Sequence, residues 1–306
     1  MNIEIVGPEA EAHLSWSGLT GALEAGHRLP RAEIGDTLLC RDPDTLLSRA
    51  AWIDGMGIAV KSATVFPGNP AKGRPMINGA VSLYSDEAGG LEAIVDFHLV
   101  TRWKTAGDSL LAARRLARPD SRDFLIIGAG AVAGSMVEAY RSAFPGARFR
   151  IWNRTAAAAG RLAAATGAEA VTDLAAAAGA SDVIATATMS SQPVLKGEWL
   201  RPGTHVDLIG AYRPDMREGD DTLLTRARLF VDSRETTVAH IGEIRDPLAR
   251  GVISETDILA DFYDIAAERF RRETAEEITV AKNGGGAHLD LMTGRYILSA
   301  WRGRSA

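Results

Sequence analysis

The stretch DFLIIGAGAVAGSMVEAYRSAFPGARFRIWNRT, Asp123–Thr155, decides the fold. An apolar run, Phe124–Ile127, enters a glycine-rich turn, Gly128-Ala129-Gly130. Ala131–Phe144 suits a helix, and Phe149–Trp152 suits a second strand that ends in Asn153-Arg154-Thr155. Strand, tight turn, helix and strand in this order make a βαβ unit with a phosphate-binding turn. Gly128 permits the turn and Gly130 lets backbone approach a pyrophosphate. The helix start at Ala131 and Val132 offers free N–H groups and a partial positive charge to an anion. Ala133 replaces the third glycine of the usual fingerprint, with Gly134 next. A lone G-x-G-x-x-A is weak, but the same turn between a strand and a helix is specific. The bland alternative is a tightly packed helix start that binds nothing.

The end of the second strand sets the cofactor. An NAD site usually carries Asp or Glu there, to bond the ribose 2′-hydroxyl. This chain has Asn153, Arg154 and Thr155. A carboxylate would repel a 2′-phosphate, whereas a guanidinium can clamp one. The expected cofactor is therefore NADPH (NADP), with NADH possible at lower affinity.

Outward from this unit, strands and helices alternate: Ala156–Ala165 as helix, then Ala170–Val171, Asp182–Ala187, His205–Ile209 and Leu229–Val231 as strands. Such alternation implies α/β architecture with a parallel sheet covered on both faces, a Rossmann domain. The preceding chain differs. Residues 12–26 read as an amphipathic helix. Ala32–Leu39, Leu46–Ile53, Ile58–Val65, Gly79–Tyr84 and Glu92–Val95 read as an antiparallel or mixed sheet, and Leu99–Ala117 as a long helix. Arg118-Pro119-Asp120-Ser121 breaks that helix. Gly284–Trp301 reads as a last helix that returns to the first domain. The expected domains are residues 1–118 with 284–306, an α+β substrate-binding domain, and residues 119–283, the Rossmann domain.

Composition bounds the function. The 306 residues carry a net charge of −5, with 46% hydrophobic and 24% charged residues. This gives no electrostatic case for nucleic acid. No apolar run approaches the roughly 20 residues that span a bilayer, and no signal peptide is visible at the start. Cys40 is the only cysteine and cannot form an internal disulfide. The six histidines lack metal-ligand spacing. A cytoplasmic enzyme without a metal is expected.

Three basic residues stand out. Lys61 lies in an otherwise apolar strand, within VKSATVFPGNP. Lys104, in TRWKTAGDS, is read as lying near the start of the long helix, where a cation opposes the helix dipole unless an anion binds nearby. Arg31 follows Leu29-Pro30. Each has an ordinary surface reading, but together they form a candidate clamp for a substrate carboxylate. Thr186, Ala187 and Thr188 end a strand at the carboxyl edge, where cofactor contacts are expected. Gly285, in TVAKNGGG, could bring bare backbone to a ligand or serve only as a hinge.

Over nearly its whole length the chain resembles the ornithine cyclodeaminase/mu-crystallin family. The matching stretches include VKSATVFPGNP, TRWKTAGDSLLAARRLARPDS, GAGAVAG, RIWNRT, TATMSSQPVLKGEWLRPGTHVDLIGA, RPDMRE, FVDSRE and TVAKNGGGAHLD. RIWNRT and GAYRPDMREGDD are most similar to the mu-crystallin-like branch. The resemblance implies a Rossmann domain and a second domain that binds substrate and forms a homodimer. It implies hydride transfer at the α-carbon of small amino or imino acids, with Lys61, Lys104 and, by a looser match, Arg31 on the carboxylate. Lys104 departs from the family's usual arginine and loses its bidentate fork. A second departure concerns the reaction. Cyclodeaminases carry an aspartate after the Gly-Ala that follows VDLIG; here Gly210-Ala211 precede Tyr212, and Asp215 lies three residues on. The resemblance thus implies an NADPH-dependent reductase of cyclic ketimines, Δ1-pyrroline-2-carboxylate or Δ1-piperideine-2-carboxylate, giving L-proline or L-pipecolate. The alternatives are a cyclodeaminase with bound NAD, an amino-acid dehydrogenase or reductive aminase on 2-oxo acids, and a non-catalytic ligand-binding protein.

Overall fold

A computed structural model describes residues 3–303. By packing, the chain divides into two compact units. One runs up to Lys104 and resumes at Gly286; the other is Thr105–Gly285.

The first unit opens with β1 (Glu4–Val6) and α1 (Trp16–Gly26). Ser15 caps α1, its hydroxyl accepting from Gly18 N at 3.1 Å. Trp16, Leu19 and Leu23 repeat at helical spacing and are buried. Then come β2 (Glu33–Arg41), β3 (Asp44–Ile53), β4 (Gly57–Val65), β5 (Ile77–Tyr84) and β6 (Leu91–Asp96). They form a six-stranded sheet in the order β1-β6-β5-β4-β3-β2. Neighbours are antiparallel except β1 with β6, so the sheet is mixed. In β4, residues 57, 59, 61 and 63 are buried and their neighbours are less so, the period-two pattern of a half-covered strand. α2 (Phe97–Leu116) follows, with the boundary between the units inside it.

The second unit is built on β7 (Asp123–Ile127), α3 (Ala131–Ala143), β8 (Arg148–Trp152), α4 (Ala156–Thr166), β9 (Glu169–Ala170), α5 (Leu174–Gly179) and β10 (Val183–Thr186). It continues through β11 (His205–Leu208), α6 (Asp221–Arg226), β12 (Arg228–Val231), α7 (Arg234–Thr237), α8 (Gly242–Ala249), β13 (Ile258–Ala260) and β14 (Thr279–Lys282). All eight strands are parallel, in the order β13-β12-β14-β11-β10-β7-β8-β9. Residues 124–127 and 183–186 are fully buried, as strands covered on both faces require. From β7 the chain moves outward to β8 and β9, then returns to lay β10 on the other side of β7. The switch point of the sheet therefore lies between β7 and β10, where doubly wound folds bind ligands. After β14 the chain re-enters the first unit as α9 (Ala287–Gly303), which packs on α1, β3, β4 and β5. No helix among the described residues is long and apolar enough to cross a membrane.

Residues 279–282, in the stretch read either as backbone approaching a ligand or as a hinge, form β14, buried between β11 and β12, which removes the hinge alternative for them. One expectation needs correction. Lys104 is not in a first helical turn. α2 begins at Phe97, two turns earlier, so no helix-dipole argument applies to it.

Candidate functional site

In the second unit the glycine turn has the geometry that a dinucleotide needs. Gly128 sits at φ +124°, and a Cβ there would lie 2.5 Å from Ala187 O at the end of β10. Only glycine fits. Its N–H is tied to Trp152 O at 2.8 Å, which joins the ends of β7 and β8. Gly130 is the opposite case: open space surrounds it, and it begins α3 without any side-chain cap. The first turn of α3, at Ala131 and Val132, is left with uncapped N–H groups beside a bare glycine, as a pyrophosphate site requires. Asn153, Arg154 and Thr155 follow β8; Arg154 and Thr155 are exposed, and the Asn153 amide donates to Thr155 O at 3.1 Å.

The other side of the switch point is held by a carboxylate that sequence reading missed. Glu218, fully buried, accepts from Thr186 Oγ1, Thr188 N and Thr188 Oγ1 at 2.7 Å each, and from Gly210 N at 2.6 Å. The hydroxyls of Thr186 and Thr188 and the Thr188 N–H are thus directed at Glu218 inside the protein, and Ala187 N bonds Ile127 O at 2.8 Å. Gly285, at φ +71°, likewise commits its N–H to Asp232 Oδ2 at 2.6 Å. Tyr212 is exposed, with Arg213 stacked 5.5 Å from its ring centre, and Asp215 forms a two-point ion pair with that arginine at 2.9 and 3.0 Å.

In the first unit Lys61 is buried at 8% exposure. Its Nζ donates to Asp290 Oδ1 and to Thr101 Oγ1, each at 2.9 Å, and lies 4.8 Å from the centre of the Phe97 ring. Arg49 stands opposite Lys61 in the antiparallel register of β3 and β4, so both side chains leave the same face. Arg49 binds Asp36 of β2 at 2.7 and 3.3 Å. Burial pushes the Lys61 ammonium below its ordinary pKa; Asp290 opposes this, and Lys104 and Arg49 add to it. Burial alone would raise the Asp290 carboxyl, but the charges of Lys61, Lys104 and Arg49 hold it below its ordinary value. His288 and His27 meet edge to face at 5.6 Å. Both are held neutral at physiological pH, first by burial: His27 falls to about 4, and His288 well below its ordinary value, with the charges of Lys104, Arg49 and Arg31 contributing. Arg31 itself is exposed. Lys104 and Arg49 thus bear on the Lys61–Asp290 pair, while Arg31 bears on His27 and His288; the fold adds Arg49, Asp290 and Thr101 to the surroundings of Lys61. Arg49 carried no motif in the sequence, and Asp290 stood only as the last residue of TVAKNGGGAHLD with no role read for it; strand register and the packing of α9 on the sheet bring them in.

The profile of the ornithine cyclodeaminase/mu-crystallin family matches residues 51–305. The chain belongs to that family. A Δ1-pyrroline-2-carboxylate reductase of Paracoccus denitrificans is 51% identical over 302 residues, 96% of each chain. Among solved structures, the family fold recurs in Thermococcus litoralis Δ1-pyrroline-2-carboxylate reductase in complex with NADH and L-proline. That match has a TM-score of 0.89 and 26% identity and covers 99% of both chains. An archaeal alanine dehydrogenase dimer with bound NAD matches at a TM-score of 0.90 and 29% identity, over 100% of this chain and 98% of that one.

Proposed function

We infer that this family member reduces cyclic ketimino acids with a nicotinamide cofactor, taking Δ1-pyrroline-2-carboxylate to L-proline or its six-membered homologue to L-pipecolate. One observation carries the site-level reading: a buried ammonium, Lys61, held among further cations, in a chain so similar to a reductase of that substrate. A small carboxylate meets a ready counter-charge in such a place, and desolvation strengthens the contact. Lys61, Lys104 and Arg31 are proposed as its clamp.

The glycine turn fits a dinucleotide. Gly128 and Gly130 with the N–H groups of Ala131 and Val132 would hold the pyrophosphate, and Thr186, Ala187, Thr188 and Gly285 would line its surroundings through backbone. When bound, the cofactor supplies the hydride that reduces the C=N carbon. The protein's own part is to fix the carboxylate and to keep positive charge near the imine nitrogen, where electron density builds up. We propose NADPH as the preferred form. Asn153, Arg154 and Thr155 stand where a ribose-binding carboxylate would exclude a 2′-phosphate, and the exposed Arg154 is available to pair with one.

We also propose a homodimer. Leu38 and Leu39 on the edge strand β2 are each 60% exposed, and Trp52 is 50% exposed. An uncovered apolar edge is a hazard that a second copy would remove. A reducing cytoplasm suits Cys40, which is exposed and free.

A second reading, reductive amination of an open-chain 2-oxo acid, is favoured by the likeness to alanine dehydrogenase, and the same clamp would serve it. Ornithine cyclisation is disfavoured: Tyr212 fills the place of the amine-handling carboxylate, and Asp215 is paired with Arg213. The deciding experiment follows NADPH oxidation against cyclic imines, against 2-oxo acids with ammonia or methylamine, and in parallel scores ornithine for proline and ammonia. Fastest turnover with the cyclic imines supports the reading; fastest turnover with 2-oxo acids and ammonia replaces it with the second.

A further inference from the structure

We propose that Asp290 is a positioning residue that fixes both the aim and the charge of Lys61. The inference rests on Lys61 acting on the substrate as proposed above.

The aim follows from counting donors. A lysine ammonium has three N–H bonds. One is given to Asp290 Oδ1 and one to Thr101 Oγ1, each at 2.9 Å. The Phe97 ring closes another side at 4.8 Å. One N–H remains, so Nζ presents a single donor in a fixed direction instead of swinging on its four-carbon stem. Lys61 is on β4, Thr101 on α2 and Asp290 on α9, so the aim is set by three packed elements.

The charge follows from what surrounds the pair. Arg49 faces Lys61 from β3, with its own partner Asp36 on β2. Lys104 bears on the pair from α2. Arg31 lies beyond α1, while His27 after α1 and His288 on α9 are neutral. Asp290 is 1% exposed, and among the described residues its second oxygen, Oδ2, has no hydrogen-bond partner. A carboxylate desolvated in this way is costly unless a charge is paired with it. Lys61 is that charge. Without Asp290, Lys61 would be a buried cation beside Arg49 and Lys104, and the easiest relief would be loss of its proton. A neutral Lys61 attracts a substrate carboxylate far less and offers no positive charge to the imine nitrogen.

The test is Asp290→Asn, which keeps the shape and removes the charge. The chain has only five lysines, 61, 72, 104, 196 and 282. The Cε signal of Lys61 can therefore be assigned in protein carrying 13C-lysine by its loss in Lys61→Met. We expect Asp290→Asn to lower the Lys61 titration midpoint by about one pH unit or more. The alkaline limb of kcat/KM for Δ1-pyrroline-2-carboxylate should move down with it by the same amount, so that at pH values above the wild-type midpoint the rate falls by roughly tenfold for each pH unit the midpoint moves. NADPH affinity should not change. Arg49→Gln removes an opposing cation and leaves Asp290, so it should move the midpoint upward. It also gives a reading if Asp290→Asn does not fold. An unmoved midpoint and alkaline limb in Asp290→Asn would overturn the proposal, even with reduced activity, because a merely structural role moves neither. An unmoved or lowered midpoint in Arg49→Gln would also count against it. The reading beneath fails differently: Lys61→Met would then retain ketimine reduction, whatever the Asp290 variants do.

Discussion

Arg154 stands exposed after β8, between Asn153 and Thr155, and the proposed preference for NADPH rests on it. Arg154→Ala should weaken NADPH binding and leave NADH binding nearly unchanged. A charge-assisted bond of this kind contributes about 1.5–3 kcal/mol, so the preference should drop at least roughly tenfold. Titration of both cofactors with wild type and variant checks this, and equal losses would remove Arg154 from the site. In the first unit, Lys61→Met keeps apolar volume and removes the charge. Ketimine reduction should fall by about 2–5 kcal/mol in kcat/KM while NADPH binding persists. Lys104→Arg should be milder, since it keeps the charge and adds a fork. At this scale the sequence was legible wherever chemistry follows a motif. Gly128 could be singled out because a backbone at φ +124° tolerates little else, Gly130 by its spacing in the phosphate turn, and Lys61 as a lysine in an apolar strand within a stretch that resembles the family. Asp290 and Arg49 could not. The first gains its meaning 229 residues away from Lys61, and the second only through the β3–β4 register.

Between the strands of the second unit and the loops that follow them lies a buried ionic group. Glu243, at the start of α8, accepts from Glu218 N at 2.7 Å and Gly219 N at 3.0 Å. Lys282, at the end of β14, donates to Leu208 O, Ala211 O and Asn283 O at 2.7–2.9 Å. Burial, with the nearby Glu218 charge, raises the Glu243 carboxyl from 4.5 to about 7, against the pull of Lys282 and the two backbone N–H groups. The folded chain therefore holds this proton more tightly than the unfolded chain. The stabilisation is fully present below pH 4.5 and is lost as pH rises through about 7. This site alone should make the protein less stable across that window, by on the order of 3 kcal/mol at most. Denaturant melts from pH 4.5 to 8 on wild type and Glu243→Gln should show the slope difference; parallel curves would mean that Glu243 is ionised throughout. Gly128→Ala addresses the same layer from the other side. A Cβ 2.5 Å from Ala187 O, at a φ of +124°, should cost stability and cofactor affinity together. Elements were legible where a periodic pattern ran long enough, as in β3, β4, α2 and α3. β14 was not: its four residues run into a glycine cluster, and a short apolar run beside glycines reads equally well as a hinge. β13 was missed for its three-residue length.

For the molecule as a whole, the unpaired edge of β2 is the feature that one copy leaves unexplained. Leu38→Asp with Leu39→Asp places charges on that edge, and it should shift a dimer toward monomer in light scattering at micromolar concentration without unfolding either unit. A wild type that is already monomeric would refute the dimer. The central claim, however, is the reaction: hydride delivered to the α-carbon of a cyclic imino acid. It is tested most directly by running the enzyme on Δ1-pyrroline-2-carboxylate with NADPH deuterated at the transferring C4 position and examining the product. The account predicts L-proline carrying one deuterium at the α-carbon, formed in step with cofactor oxidation. No cofactor oxidation with this substrate, together with release of proline and ammonia from ornithine, would contradict it.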